Sequence, residues 1–226
     1  MPLFIRGLHN HGGIEALTLF LMKNSMLAYA ARTGTRRNLE ALRLAEWRLI
    51  LSPIGVLRTE GFPYALDNGA WHAYQTGHSF DEHAFTVALK RFGADADWTV
   101  IPDIVAGGHA SMELSLQWMR RVLDVSPHAL LAVQDGLVPD DVWPFLSERV
   151  GIFVGGSTAW KEATMTQWGV VGRQAGCWTH VGRVNTARRI RLCGYAGVTS
   201  FDGSSASRYS VTLPMLDHAR RQLAMF

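Results

Sequence analysis

Six short polar or glycine motifs each follow an apolar run: Asp67-Asn68-Gly69-Ala70, Asp103-Ile104-Val105-Ala106-Gly107-Gly108, Gln134-Asp135-Gly136, Gly155-Gly156-Ser157-Thr158, Gly182-Arg183-Val184-Asn185 and Asp202-Gly203-Ser204-Ser205. Three open on an aspartate and one on a glutamine. Carboxylates accept N–H groups and a Gln amide offers both a donor and an acceptor, so Asp67, Asp103, Asp202 and Gln134 together can read the edge of a purine. A carboxylate can also attack a sugar anomeric carbon while a second one shuttles the proton. That chemistry requires no metal-ligand spacing, so we expect neither a metal nor a cofactor.

Each motif also has a plainer reading. An Asp after a strand caps the next helix or makes an Asx turn. Gly155-Gly156-Ser157-Thr158 is either an ordinary turn or a place where backbone N–H groups come close to a ligand. It lacks the lysine spacing of a nucleotide P-loop, and Gly-x-Gly-x-x-Gly after a strand, Gly-x-Ser-x-Gly and His-Glu-x-x-His are all absent. His180, three residues after Cys177, reads first as a satisfied core histidine, and His9 and His11 as exposed groups in a Gly-rich stretch rather than metal ligands. Arg32, Arg36, Arg37, Arg183 and Arg208 are candidates to hold phosphates. Arg188, Arg189 and Arg191 individually read as a solvated helical face.

The elements that must position these motifs are short apolar runs alternating with segments of helical period. Strands are expected at Leu27–Ala31, Arg48–Leu51, Tyr64–Leu66, Trp98–Pro102, Leu130–Val133, Gly151–Val154, Trp178–Val181 and Val198–Phe201. Most are continuously apolar, as in a parallel sheet buried on both faces. Helices are expected at Thr35–Glu46, Phe80–Phe92 (with a Ser79/Glu82 capping box), Ser111–Leu123, Pro139–Leu146, Trp160–Ala175, Thr186–Tyr195 and Ser210–Ala224. Eight strands alternating with seven helices predict a single-domain α/β fold, a (β/α)8 TIM barrel over residues 26–226, preceded by an extension over 1–25. An open doubly wound sheet is the alternative. In either fold the carboxyl ends of the strands form the binding face, so the motifs converge on one mouth.

Composition narrows the class. The 226 residues are 48% hydrophobic and 18% charged, which excludes a disordered or collagen-like chain. A net charge of +3 permits nucleic acid as a partner without demonstrating it. The 8 tryptophans point to large buried faces or stacking surfaces. With Cys177 and Cys193 as the only cysteines, neither a disulfide framework nor a Cys-only zinc site is expected, and a reduced, cytoplasmic setting is. No apolar run approaches the roughly 18 residues of a membrane span, and Ala16 to Met22 does not read as a signal peptide.

Phe201-Asp202-Gly203-Ser204-Ser205-Ala206-Ser207-Arg208 resembles the nucleophile motif of the tRNA-guanine transglycosylases, a Phe-Asp pair with an Arg six residues after the Asp. Asp67-Asn68-Gly69-Ala70 resembles the family's Asp-Ser-Gly-Gly motif, which carries the general acid/base. Asp103 stands where the family has a base-recognising Asp, Val133-Gln134-Asp135-Gly136 is similar to its Val-Gln-Gly-Gly, and Gly155-Gly156 matches its glycine pair. The motifs follow in the family's order over about residues 27–217. Ser204–Ser207 lacks the usual Pro-Thr, and nothing like the tRNA enzymes' zinc subdomain of three Cys and one His follows Asp202. The chain looks more like the compact branch that inserts 7-deazaguanine bases into DNA, found in phages and bacterial DNA-modification clusters.

The resemblance implies a base exchange with Asp202 as nucleophile and Asp67 as acid/base. It further implies that Asp103, Gln134, Gly155, Gly156 and Arg183 bind the substrate base, with Arg208, Arg36 and Arg37 on the polynucleotide. Trp71 or Tyr74 either stacks on the base or packs. The expected partners are DNA, or tRNA as the alternative, a 7-deazaguanine base and accessory DNA-modification proteins, with no membrane. Two other readings remain open: a barrel enzyme for a small phosphorylated metabolite gripped by Gly155-Gly156-Ser157-Thr158, and a catalytically silent nucleic-acid-binding barrel.

Overall fold

A computed structural model describes residues 26–32, 35–208 and 211–222. The extension expected over 1–25, with His9 and His11, lies outside the described residues, as do parts of the expected Ser210–Ala224 helix.

Eight strands close into a barrel in sequence order: β1 (Leu27–Ala31), β2 (Arg48–Leu51), β3 (Tyr64–Leu66), β4 (Thr99–Val100), β5 (Ala129–Val133), β6 (Val150–Val154), β7 (Thr179–Val181) and β8 (Ser200–Asp202). Every neighbouring pair is parallel, and β8 closes on β1 with Tyr29 opposite Asp202. The fold is therefore a (β/α)8 TIM barrel.

Strand side chains alternate between the two faces. One set, including Leu49, Leu66, Leu131, Ile152, Val181 and Phe201, packs outward against the helices. The other set fills the bore: Tyr29, Ala65, Trp98, Val100 and Leu130, with Phe153 and Trp178 against them. At the amino ends of the strands Asp97 accepts from Arg48 Nη1 at 2.5 Å and from Tyr29 Oη at 2.9 Å. The same parity turns Asp67 and Asp202 inward, at the carboxyl ends.

β4 is shorter than expected because side chains capture its last carbonyls. Asn68 Nδ2 donates to Ile101 O at 2.9 Å and Ser115 Oγ to Pro102 O at 2.8 Å. The helix Ala70–Thr76 was not expected. It starts on Gly69 at φ 84° without a side-chain cap, and Asn68 Oδ1 accepts the Ala70 N–H at 2.8 Å instead. The Ser79/Glu82 capping box is corrected: Asp81 caps the helix Glu82–Phe92, accepting from Ala84 N at 2.9 Å. Pro144 breaks the expected Pro139–Leu146 helix into a turn of α-helix, Pro139–Val142, and a 3-10 turn, Trp143–Phe145. Within the expected Ser210–Ala224 helix the described residues form Leu213–Arg221, and a separate short helix that was not expected, Ser205–Arg208, precedes it.

The helix Thr158–Ala175 lies close on the sheet. A Cβ at Gly172 would collide with Thr179 Oγ1 of β7, and one at Gly169 with the Ala196 carbonyl oxygen. Gly172→Ala is expected to cost about 1–3 kcal/mol by overpacking, read as a lower midpoint in thermal unfolding. No helix among the described residues is long and apolar enough to cross a membrane.

Candidate active site

Asp202 is the last residue of β8. One carboxylate oxygen faces His180 Nε2 at 3.1 Å, and the other accepts the Arg183 backbone N–H at 3.0 Å. That N–H belongs to a peptide gripped at both ends, because the buried Lys161 donates from Nζ to Gly182 O at 2.5 Å. Hydrogen bonds along one peptide unit polarise each other, which strengthens the N–H as a donor. Arg183 holds this pose at φ 59°, in the left-handed region that non-glycine residues rarely adopt. Burial, with the Arg183 charge beside it, lowers Lys161 to about 8.

Asp67 and Asp103 sit beside each other, one after β3 and one after β4. Burial, then the neighbouring Asp202 and Asp103, push the Asp67 carboxyl up to about 7. Burial pushes Asp103 up to about 6, against an opposing bond from Asn68 Nδ2 to its Oδ1 at 2.7 Å. Asn68 thus starts a helix, ends a strand and orients a carboxyl. Both cysteines are pushed up by burial, to about 11 for Cys177 and about 12 for Cys193, which keeps both as thiols near neutral pH.

Gln134 is 2% exposed and pins the loop after β4: its Oε1 accepts from Ala106 N at 2.6 Å and its Nε2 donates to Ile104 O at 2.8 Å. One amide N–H and one lone pair remain for a ligand. Gly155 N donates to Val133 O at 2.8 Å, whereas the Gly156 N–H makes no hydrogen bond among the described residues. Gly156, at φ 72°, lies against Asp135, and a Cβ there would come 2.5 Å from Asp135 Oδ2. Asp135 also takes the Ser157 N–H at 2.6 Å and its hydroxyl at 2.7 Å.

Arg183 bridges the mouth. Its guanidinium donates to Gly156 O and lies 3.9 Å from the centroid of the Trp71 ring. Trp71 is in turn stacked on Tyr74, with centroids 5.7 Å apart. Both residues keep solvent access, Trp71 at 37% and Tyr74 at 56%.

The expected phosphate-binding arginines divide. Arg37 and Arg208 are exposed, and Arg36 is exposed and paired with Glu40 at 2.9 Å. Arg32 is held by Glu60 at 2.6 Å, and Arg188 and Arg189 share Glu162. Asp67, Asp103, Asp202, Gly156 and Arg183 therefore gather at one mouth with Gln134 under its rim, while Arg36, Arg37 and Arg208 are exposed to solvent.

His180, Lys161, Asn68 and Asp135 were not singled out for the site. His180 is the core residue its sequence context predicts, at 0% exposure, and it also touches Asp202. The only available signal was its parity: as a β7 residue one position before Val181, it shares the inward face with Gly182. Among the described residues no group of three or more His, Cys, Asp and Glu is placed to hold a metal ion. No family model matches the chain, and no curated protein matches it significantly.

Proposed function

We propose that the chain is a base-exchange transglycosylase that replaces guanine in DNA with a 7-deazaguanine base. One observation carries this reading: Asp67, at about 7, lies within electrostatic reach of Asp202, whose two oxygens accept separate N–H donors. Pairs of carboxyls set apart by their environments divide into an acid/base and a nucleophile.

The target nucleotide must leave the stack before its glycosidic bond is reachable. A carboxylate oxygen of Asp202 bonds to C1′ as the C1′–base bond breaks, and Asp67 gives its proton to the departing guanine. The incoming base then returns a proton to Asp67, its nitrogen bonds to C1′, and the ester to Asp202 opens. Two displacements retain the anomeric configuration. Asp103, the remaining amide groups of Gln134 and the Gly156 N–H face the base edge, and a base that left them unpaired would be rejected.

The test is incubation with labelled guanine and either DNA or tRNA. Label in DNA supports the reading, label in tRNA alone shifts the substrate, and label in neither polymer counts against both. Binding through Arg36, Arg37 and Arg208 is expected to weaken steeply with salt, with a slope of about −2 to −3 in log–log form for three phosphate contacts. A flat response in gel-shift titrations would remove polynucleotide as the ligand. Trp71→Ala, which removes the stacking platform, is expected to raise KM for the polymer about tenfold with kcat little changed, measured in steady-state assays.

The small-metabolite reading is disfavoured by Asp135. Its carboxylate already holds the Ser157 N–H and hydroxyl at the start of the helix Thr158–Ala175, where a phosphate would need them.

A further inference from the structure

His180 is enclosed by rings: Trp98 at 4.5 Å, Phe153 stacked at 5.0 Å and Tyr29 at 5.7 Å between centroids. Both of its nitrogens are nevertheless engaged, Nδ1 with Ser200 Oγ at 2.8 Å and Nε2 with Asp202 Oδ2 at 3.1 Å. Donor bookkeeping then decides the tautomer. An ionised carboxylate only accepts, so Nε2 carries the proton. Trp178 Nε1, which only donates, points at Ser200 Oγ from 2.7 Å. The serine therefore accepts from the indole and passes its own O–H to the bare Nδ1. Burial lowers the histidine below the ordinary imidazole value, which keeps the ring neutral. The charged groups facing the pair are Asp67 from the end of β3, Arg183 after β7 and Lys161 from the helix Thr158–Ala175.

We propose that His180 is a positioning residue for Asp202: a neutral imidazole, locked in the Nε2–H tautomer by Ser200 and Trp178, that aims the carboxylate and assists its departure from the sugar. The proposal rests on Asp202 being the nucleophile. The Nε2–H bond is strongest to the free carboxylate and weakens when that oxygen becomes an ester. Removing the donor therefore slows opening of the ester more than its formation. The base-edge groups are untouched, so the affinity of the glycosylated form for the incoming base is unaffected.

Two readouts test this on the full chain. In ¹⁵N NMR of the imidazoles, with His180 assigned by its loss in His180→Phe, the expected signature at neutral pH is a protonated Nε2 and a bare Nδ1. An Nδ1–H tautomer or an imidazolium would overturn the proposal. In single-turnover reactions with guanine-containing DNA and a 7-deazaguanine base, His180→Phe is expected to lower the rate of exchange about 10- to 100-fold and to accumulate covalent adduct. His180→Gln, whose amide N–H reaches the place of Nε2, is expected to recover much of the rate. Unchanged partitioning between adduct and product overturns the proposal. Should His180→Phe not fold, Ser200→Ala removes the lock on Nδ1 and is expected to accumulate adduct more weakly, and wild-type partitioning there counts against the relay. A wild type that forms no adduct with DNA or RNA, yet shows the expected ring spectrum, sinks the transglycosylase reading and leaves the hydrogen-bonded arrangement standing.

Discussion

Asp202→Asn is expected to abolish base exchange while leaving polymer binding intact. An amide oxygen is a poor nucleophile, and the substitution also conflicts with its surroundings. Asp202 sits between two donors, the Nε2–H of His180 and the N–H of Arg183, one for each oxygen. An amide presents one acceptor and one donor, so in either orientation its NH2 group faces another N–H. The side chain loses one hydrogen bond as well as its charge. We expect a fall of at least ~10⁴-fold in turnover, since removing a covalent nucleophile removes the pathway that uses it. Label incorporation measures the loss, gel shift measures retained binding, and no covalent adduct should be trapped. Turnover within tenfold of wild type would mean that another group attacks the sugar.

Asp67→Asn is expected to act on rate, pH profile and stability together. As the acid of the first step Asp67 must hold a proton, and its carboxyl is pushed up to about 7. The wild-type rate is therefore expected to fall as pH rises through about 7. The variant should lose that alkaline limb along with ~10²- to 10⁴-fold in rate, the usual weight of a positioned acid. Stability moves the other way. The folded state binds this proton more tightly than the unfolded chain, so between about pH 4 and pH 7 the native protein carries more protons and loses stability as pH rises. The wild type thus keeps a destabilising ionised carboxyl above pH 7, and Asn relieves it. At pH 8 the variant's melting temperature should rise, on the order of 5 °C. A fall at pH 8 would mean that the Asp67 carboxyl is not raised by burial and its neighbours.

Much of the frame was legible in the sequence, and particular residues show why. β1, β2 and β3 have the bounds that their short apolar runs predict, with β3 buried throughout, β1 through its three middle residues and β2 at every second one. Polar motifs at the carboxyl ends point to a shared mouth once the fold is known, so Asp67, Asp103 and Asp202 could be grouped in advance. The helix Ala70–Thr76 could not. It is short, starts on a glycine and is capped from one residue further back, by Asn68. His180 was hidden for a different reason. A lone histidine in an apolar strand looks like core, and its contacts depend on β7 and β8 pairing with His180 opposite Ser200, a register that no local pattern encodes. The Gln134 amide is similar: its two bonds to Ile104 and Ala106 depend on where a distant loop folds.

The packed bore has a kinetic consequence. Tyr29, Trp98, Phe153 and His180 fill the barrel, with the Arg48–Asp97 pair at its amino end. Among the described residues the filled bore leaves no way to Asp202 from the amino end, so in the proposed exchange arrival and departure share the mouth at the strand ends. Under the proposed function, the departing guanine must clear that mouth before its replacement can come in. The two bases cannot occupy the site together, so the order of events is ping-pong. Free guanine then competes with the incoming base for the glycosylated form of the enzyme, and an exchange driven to completion depends on guanine being diluted away or consumed.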